Sequence, residues 1–115
     1  MELKVGMICK HFKGETLVEK NIYEILAMDI TYTGDNNVDL SSLVIYRPLF
    51  QEGKVFAREY EDLVGELSTE EKEMYHQDYR VEPLNEEELE TIESEEYRVL
   101  KSIYIKNKYE KKLQK

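Results

Sequence analysis

Cys9 and His11 stand two residues apart in the stretch Cys9-Lys10-His11-Phe12-Lys13-Gly14. On an extended strand that spacing puts a thiol and an imidazole on one face, which is where a cysteine nucleophile and its base would have to be. Nucleophilic catalysis also needs a third group to orient the base, and no glycine-flanked turn or helix start presents this thiol. Cys9 therefore reads as a buried spectator, because a free thiol behaves as a small hydrophobe. His11 reads as a strand residue whose ring packs and hydrogen-bonds locally, with contact to a ligand or a catalytic role as the alternatives. The only other histidine, His76, lies in the charged segment Glu73-Met74-Tyr75-His76-Gln77 and reads as solvated.

Metal chemistry lacks ligands. Structural zinc usually takes four Cys or His side chains, and this chain has one Cys and two His. The loop Asp35-Asn36-Asn37-Val38-Asp39 resembles half of a calcium loop without its glycine and terminal glutamate, and is expected to be a solvated turn. No phosphate-cradling glycine motif is present, so no cofactor is expected. What remains is a binding surface. His11, Lys13, Arg47 and Arg58, with Tyr46, Phe50 and Phe56 as flat apolar neighbours, come from three expected strands that a small barrel would bring together. Arginine grips carboxylates with paired hydrogen bonds, so an anionic group, a peptide or a protein segment is the expected partner. The competing reading is that Arg47 and Arg58 neutralise nearby carboxylates and that Tyr46 and Phe56 belong to the core.

The elements that must position these side chains follow from periodicity. Met7 to Phe12 is a short run with apolar residues on alternate positions, closed by Lys13-Gly14, and reads as a first strand. From Ile22 to Tyr32 the apolar residues again keep a period of two, and the run ends in Thr33-Gly34-Asp35-Asn36-Asn37. Leu40 to Phe50 supplies a strand covered on both faces, with Pro48 marking an edge or a bulge. A hairpin-sized turn leads to Val55-Phe56-Ala57-Arg58, and Tyr79 to Glu82 is a last candidate. Ser68 and Glu71 have the spacing of a helix start, as do Asn85 and Glu88, where Leu84 can staple against Leu89. The second start predicts one helix continuing to the end of the sequence. Its apolar stripe, Leu89, Ile92, Tyr97, Val99, Leu100, Ile103 and Tyr104, must be covered by the barrel or by a partner helix in a homodimer.

Composition narrows the functional classes. In 115 residues, 36% are charged and the formal charge is −9, which argues against broad nucleic-acid binding. The charge is polarised along the chain: residues 1–83 carry net −8, residues 84–96 net −7, and residues 97–115 net +6. Acids at the start and bases at the end of a helix oppose its macrodipole, so this polarity has a structural explanation. Tyr104 and Tyr109 interleaved with Lys101, Lys106, Lys108, Lys111 and Lys112 keep RNA or single-stranded DNA as a further alternative. No apolar run is long enough to span a bilayer, the first residues lack the apolar core of a secretory signal, and the lone cysteine suits a reducing compartment; a cytoplasmic protein with no membrane partner is expected.

The order CKHFKG, Tyr23-Glu24-Ile25-Leu26, Val44-Ile45-Tyr46-Arg47-Pro48-Leu49-Phe50 and Phe56-Ala57-Arg58 resembles the bacterial domain of unknown function 1653 over roughly residues 5–65. The resemblance implies a small SH3-like β-barrel. Four features depart from that pattern: Cys9 in place of an aromatic, Glu59 in place of a proline, Leu63 in place of an aromatic, and extra length from Glu15 to Lys20. The closing helix lies outside it. The resulting expectation is a mainly β protein: a small SH3-like antiparallel barrel over residues 1–83 followed by a helical extension over 84–115, acting as a non-enzymatic binding or interaction module.

Overall fold

The structure, a computed structural model, describes residues 2–113. Seven strands form two antiparallel sheets, and four helices follow or interrupt them. Strands β1 (Ile8–His11), β2 (Ile22–Ala27), β5 (Leu43–Pro48), β6 (Phe56–Glu59) and β7 (Val81–Pro83) make a five-stranded sheet in the order β6-β5-β2-β1-β7. Strands β3 (Ile30–Tyr32) and β4 (Val38–Leu40) form a separate hairpin. The expected strand from Ile22 to Tyr32 is thus two strands. Asp29 adopts φ 55°, a left-handed conformation that ends β2 and turns the chain into the hairpin.

The register shows which side chains share a face. Cys9 pairs with Tyr23, Tyr23 with Pro48, Ile25 with Tyr46, Tyr46 with Phe56, and Val44 with Arg58. Since directly opposed residues point the same way, these and His11 occupy one face of the sheet. Its middle is the first core, where Cys9, Ile25, Val44, Tyr46 and Val81 are buried with Leu3 and with Leu63 of α1 (Tyr60–Leu63). The opposite face packs Ile22 with Leu84, Ile92 and Tyr97, flanked by Ile8, Leu17, Val18, Leu49, Phe50 and Leu89. That second core joins the sheet to the last two helices.

Both expected caps form with reciprocal bonds. In α2 (Thr69–Tyr75) the Ser68 hydroxyl accepts from Glu71 N while the Glu71 carboxylate accepts from Ser68 N, and Asn85 and Glu88 do the same at α3 (Glu86–Glu93). The expected single terminal helix is interrupted, however. Ser94 is extended (φ −70°, ψ 148°) and its hydroxyl accepts from Tyr97 N, so it opens a new helix, α4 (Glu95–Leu113). The break puts Ile92 and Tyr97 on separate helices. Both Ile92 and Tyr97 are thereby buried.

The apolar stripe divides accordingly. Ile92 and Tyr97 are buried and Leu89 and Tyr104 half-buried, while Val99, Leu100 and Ile103 remain exposed. What α4 turns inward beyond Tyr97 is Lys101, only 4% exposed. Among the described residues, no helix is long and apolar enough to cross a membrane.

Candidate functional site

The turn from Gly14 to Lys20 begins at a glycine with φ +111°, where a Cβ would come within 2.9 Å of the Glu19 backbone. Only glycine enters this turn without strain. The carbonyls it leaves unpaired are met from α4: the Tyr97 hydroxyl donates to Leu17 O at 2.9 Å, and Lys101 Nζ donates to Val18 O at 2.7 Å and Lys20 O at 2.5 Å. Lys20 is buried too, and its ammonium donates to Phe12 O at 2.8 Å and Tyr75 O at 3.0 Å. The Gly14–Lys20 turn and the closing helix therefore hold each other in place. Burial, followed by the charge of Lys108, pulls the Lys101 pKa down to about 8. Burial also lowers that of Lys20, with Lys10 acting in the same direction.

Beyond this clamp, α4 runs across the end of the sheet and leaves a cleft of about 490 Å³. The sheet contributes Tyr23, Phe50 and Phe56; the helix contributes Tyr104 and Tyr109. Lys54, from the β5–β6 turn, and Lys101, Lys108 and Lys112, from α4, also line it. Among the described residues, no carboxylate does. On a chain of net charge −9 this is a local reversal of sign; Lys101 is buried there, whereas Lys54, Lys108 and Lys112 are exposed.

An aromatic ladder leads from the cleft across the sheet. Phe56 lies 5.7 Å from Tyr46 between ring centroids, Tyr46 4.9 Å from Tyr23, Tyr23 6.5 Å from His11, and His11 4.8 Å from Phe12. His11 thus belongs to a packed row. Its pKa falls to about 4, first through burial and then through the charges of Arg80, Lys13, Arg58 and Lys20. At neutral pH the ring is uncharged. Cys9, on the same face as expected, is fully buried, and burial pushes its thiol up to about 12. A thiolate is not accessible there.

The expected surface is divided by the structure. Phe56 lines the cleft, Tyr46 is buried beside it, and His11 and Arg58 share their face. Arg58 makes a loose 3.8 Å pair with Asp62, while Lys13 stands exposed beyond the end of β1. Arg47 does not join them: it alternates with Tyr46 and Pro48, points to the opposite face, and donates to Glu24 at 2.7 Å. The parity of β5 alone separates Arg47 from Tyr46. Lys54, Lys101, Lys108 and Lys112 were missed as a set, although the interleaved lysines and tyrosines of the tail were a partial signal. Among the described residues, no group of three or more His, Cys, Asp or Glu is arranged to hold a metal ion.

No family model, no curated protein and no solved structure matches the chain.

Proposed function

We propose that the chain is a non-enzymatic binding module whose ligand is a small anion bearing a flat ring, held in the cleft between the end of the sheet and α4. The observation that carries this is the lining itself: among the described residues, four lysines and five aromatic rings with no carboxylate, on an acidic protein. A ring stacks between Phe50 or Phe56 and Tyr104, and the anion meets Lys101, whose ammonium is held by two neutral carbonyls, together with Lys54, Lys108 and Lys112. Lys101 couples binding to protonation. An anion beside it favours the ammonium form, so affinity falls as pH rises through about 8. The volume suits one ring and its charged substituent rather than a run of nucleotides.

The finer architectural reading belongs to the same proposal. In the order β6-β5-β2-β1-β7 the last strand pairs with the first and the other four follow as a meander, apart from the β3–β4 excursion. That order supports a curled SH3-like barrel of the kind implied by the resemblance to the domain of unknown function 1653, with a cytoplasmic location to match its single buried thiol. By fold analogy alone, small barrels commonly bind through aromatic surfaces, and the aromatic cleft at the end of the sheet agrees with that.

Titration of the full chain with adenosine monophosphate, adenosine and inorganic phosphate, followed by backbone and side-chain NMR, tests the reading. The ring-bearing anion is expected to bind more tightly than either part, moving resonances of Tyr23, Phe50, Lys101 and Tyr104, and Lys108→Glu is expected to weaken it. Shifts confined to residues outside the cleft, or none at all, would reject it.

A further inference from the structure

We infer that the outward face of α4 docks against the same face of a second copy of this chain, with the two helices antiparallel. Val99, Leu100 and Ile103 are 52%, 47% and 52% exposed; Val99 and Ile103 occupy the side of α4 opposite the buried Tyr97 and Lys101, and Leu100 lies on its flank. Beside them, between α3, α4 and the sheet, lies an apolar groove of about 580 Å³ lined by Leu49, Phe50, Leu89 and Ile92, with Arg98 and Ser102 on its α4 rim. Arg98 and Ser102 edge that groove, while Val99, Leu100 and Ile103, spaced three and four apart, form one apolar patch on the helix surface itself. Contiguous apolar surface of this kind marks association sites.

Charge decides the occupant and its direction. Glu95 and Glu96 open α4, whereas Lys106, Lys111 and Lys112 belong to its closing turns. A parallel pair would set glutamates against glutamates and lysines against lysines. An antiparallel pair with its two-fold axis in the turn from Leu100 to Ile103 brings Glu96 of one helix within a turn of Lys106 of the other, twice by symmetry. The aliphatic triplet sits at the centre and the ion pairs lie at the rim, which is the usual anatomy of an interface. Three half-exposed aliphatic side chains cover less than the roughly 800 Å² per partner of a standard interface, so dissociation in the micromolar range is expected. Val99 and Ile103 lie on the other side of α4 from the cleft, and neither lines it.

Sedimentation of the full chain over a concentration series tests the inference. A monomer–dimer equilibrium is expected, and Leu100→Asp or Ile103→Asp, both at exposed sites, should weaken dimerisation about tenfold or more with helix content and melting temperature unchanged. Glu96→Lys and Lys106→Glu should each weaken it, and the two together should restore it. A monomer into the hundreds of micromolar would overturn the inference, as would a dimer indifferent to Leu100→Asp and Ile103→Asp. Single charge reversals without effect, or a double variant no stronger than either single one, would overturn the antiparallel arrangement.

Discussion

The two faces of the five-stranded sheet are buried by different means. The face carrying Cys9, Ile25, Val44 and Val81 is sealed by aliphatic packing, with these four side chains no more than 2% exposed. The face beneath α3 and α4 buries Ile22, Leu84, Ile92 and Tyr97, but it is fastened at its margins by polar contacts: Tyr97 and Lys101 to the Gly14–Lys20 turn, and Lys10 to Glu88 at 2.7 Å. Apolar packing is indifferent to pH. A clamp made by a buried ammonium is not, so the helical side of the molecule is where solution conditions should act.

The sharpest way to break this contrast is within the first core. Ile25→Ala should destabilise the whole chain by about 2–5 kcal/mol, measured by urea unfolding, because no neighbouring side chain can refill the space. A loss confined to α4 signals would show that the sheet does not depend on its own face. The second test separates the faces by pH. In the unfolded chain Lys101 titrates near 10.5, and in the folded chain at about 8; between those values the unfolded state binds more protons, so this group adds stability as pH rises and removes it as pH falls through about 8. Cys9, whose folded pKa is about 12 against 9.0 unfolded, acts in the opposite direction above pH 9. From pH 8 to 9 the wild type should therefore gain up to about 1 kcal/mol relative to Lys101→Met. Equal slopes would mean that Lys101 is not buried as a charge.

Smaller effects refine the comparison. Tyr97→Phe keeps the ring and removes only the bond to Leu17 O, and should cost about 1 kcal/mol with selective loss of amide protection in the Gly14–Lys20 turn. Protection lost evenly across the sheet would deny the turn its separate clamp. His11 should titrate near pH 4 by NMR; a value near 6.5 would place the ring in water rather than in the aromatic row. Arg47→Ala should cost least, about 0.2–1 kcal/mol, since its pair with Glu24 is half-exposed.

Local chemistry was largely legible. The two capping boxes, the shared face of Cys9 and His11, and the strands from Met7 and Val55 follow from side chains within a few residues of one another, whereas the expected strand from Ile22 divides into β2 and β3 and the expected strand from Leu40 divides between the end of β4 and β5. The break at Ser94 was not, because the charge gradient and the apolar stripe run through it without interruption. Nor was the cleft. Its lysines come from a turn and from a helix about fifty residues later, and long charged side chains are by default assigned to solvent.

The direction in which α4 faces shows where such reading stops. By apolar periodicity Val99, Leu100 and Ile103 are as good a core stripe as Tyr97 and Tyr104, and a lysine at 101 argues for the former. The folded chain chooses the latter, because the Gly14–Lys20 turn presents carbonyl oxygens there that only hydrogen-bond donors can satisfy. Periods, caps and the polarity of the tail are properties of neighbouring residues, and the amino-acid order determined them. Which helical face turns inward, and hence where lysines and rings meet, depended on unpaired backbone groups some eighty residues away, and only tertiary packing brought those into reach.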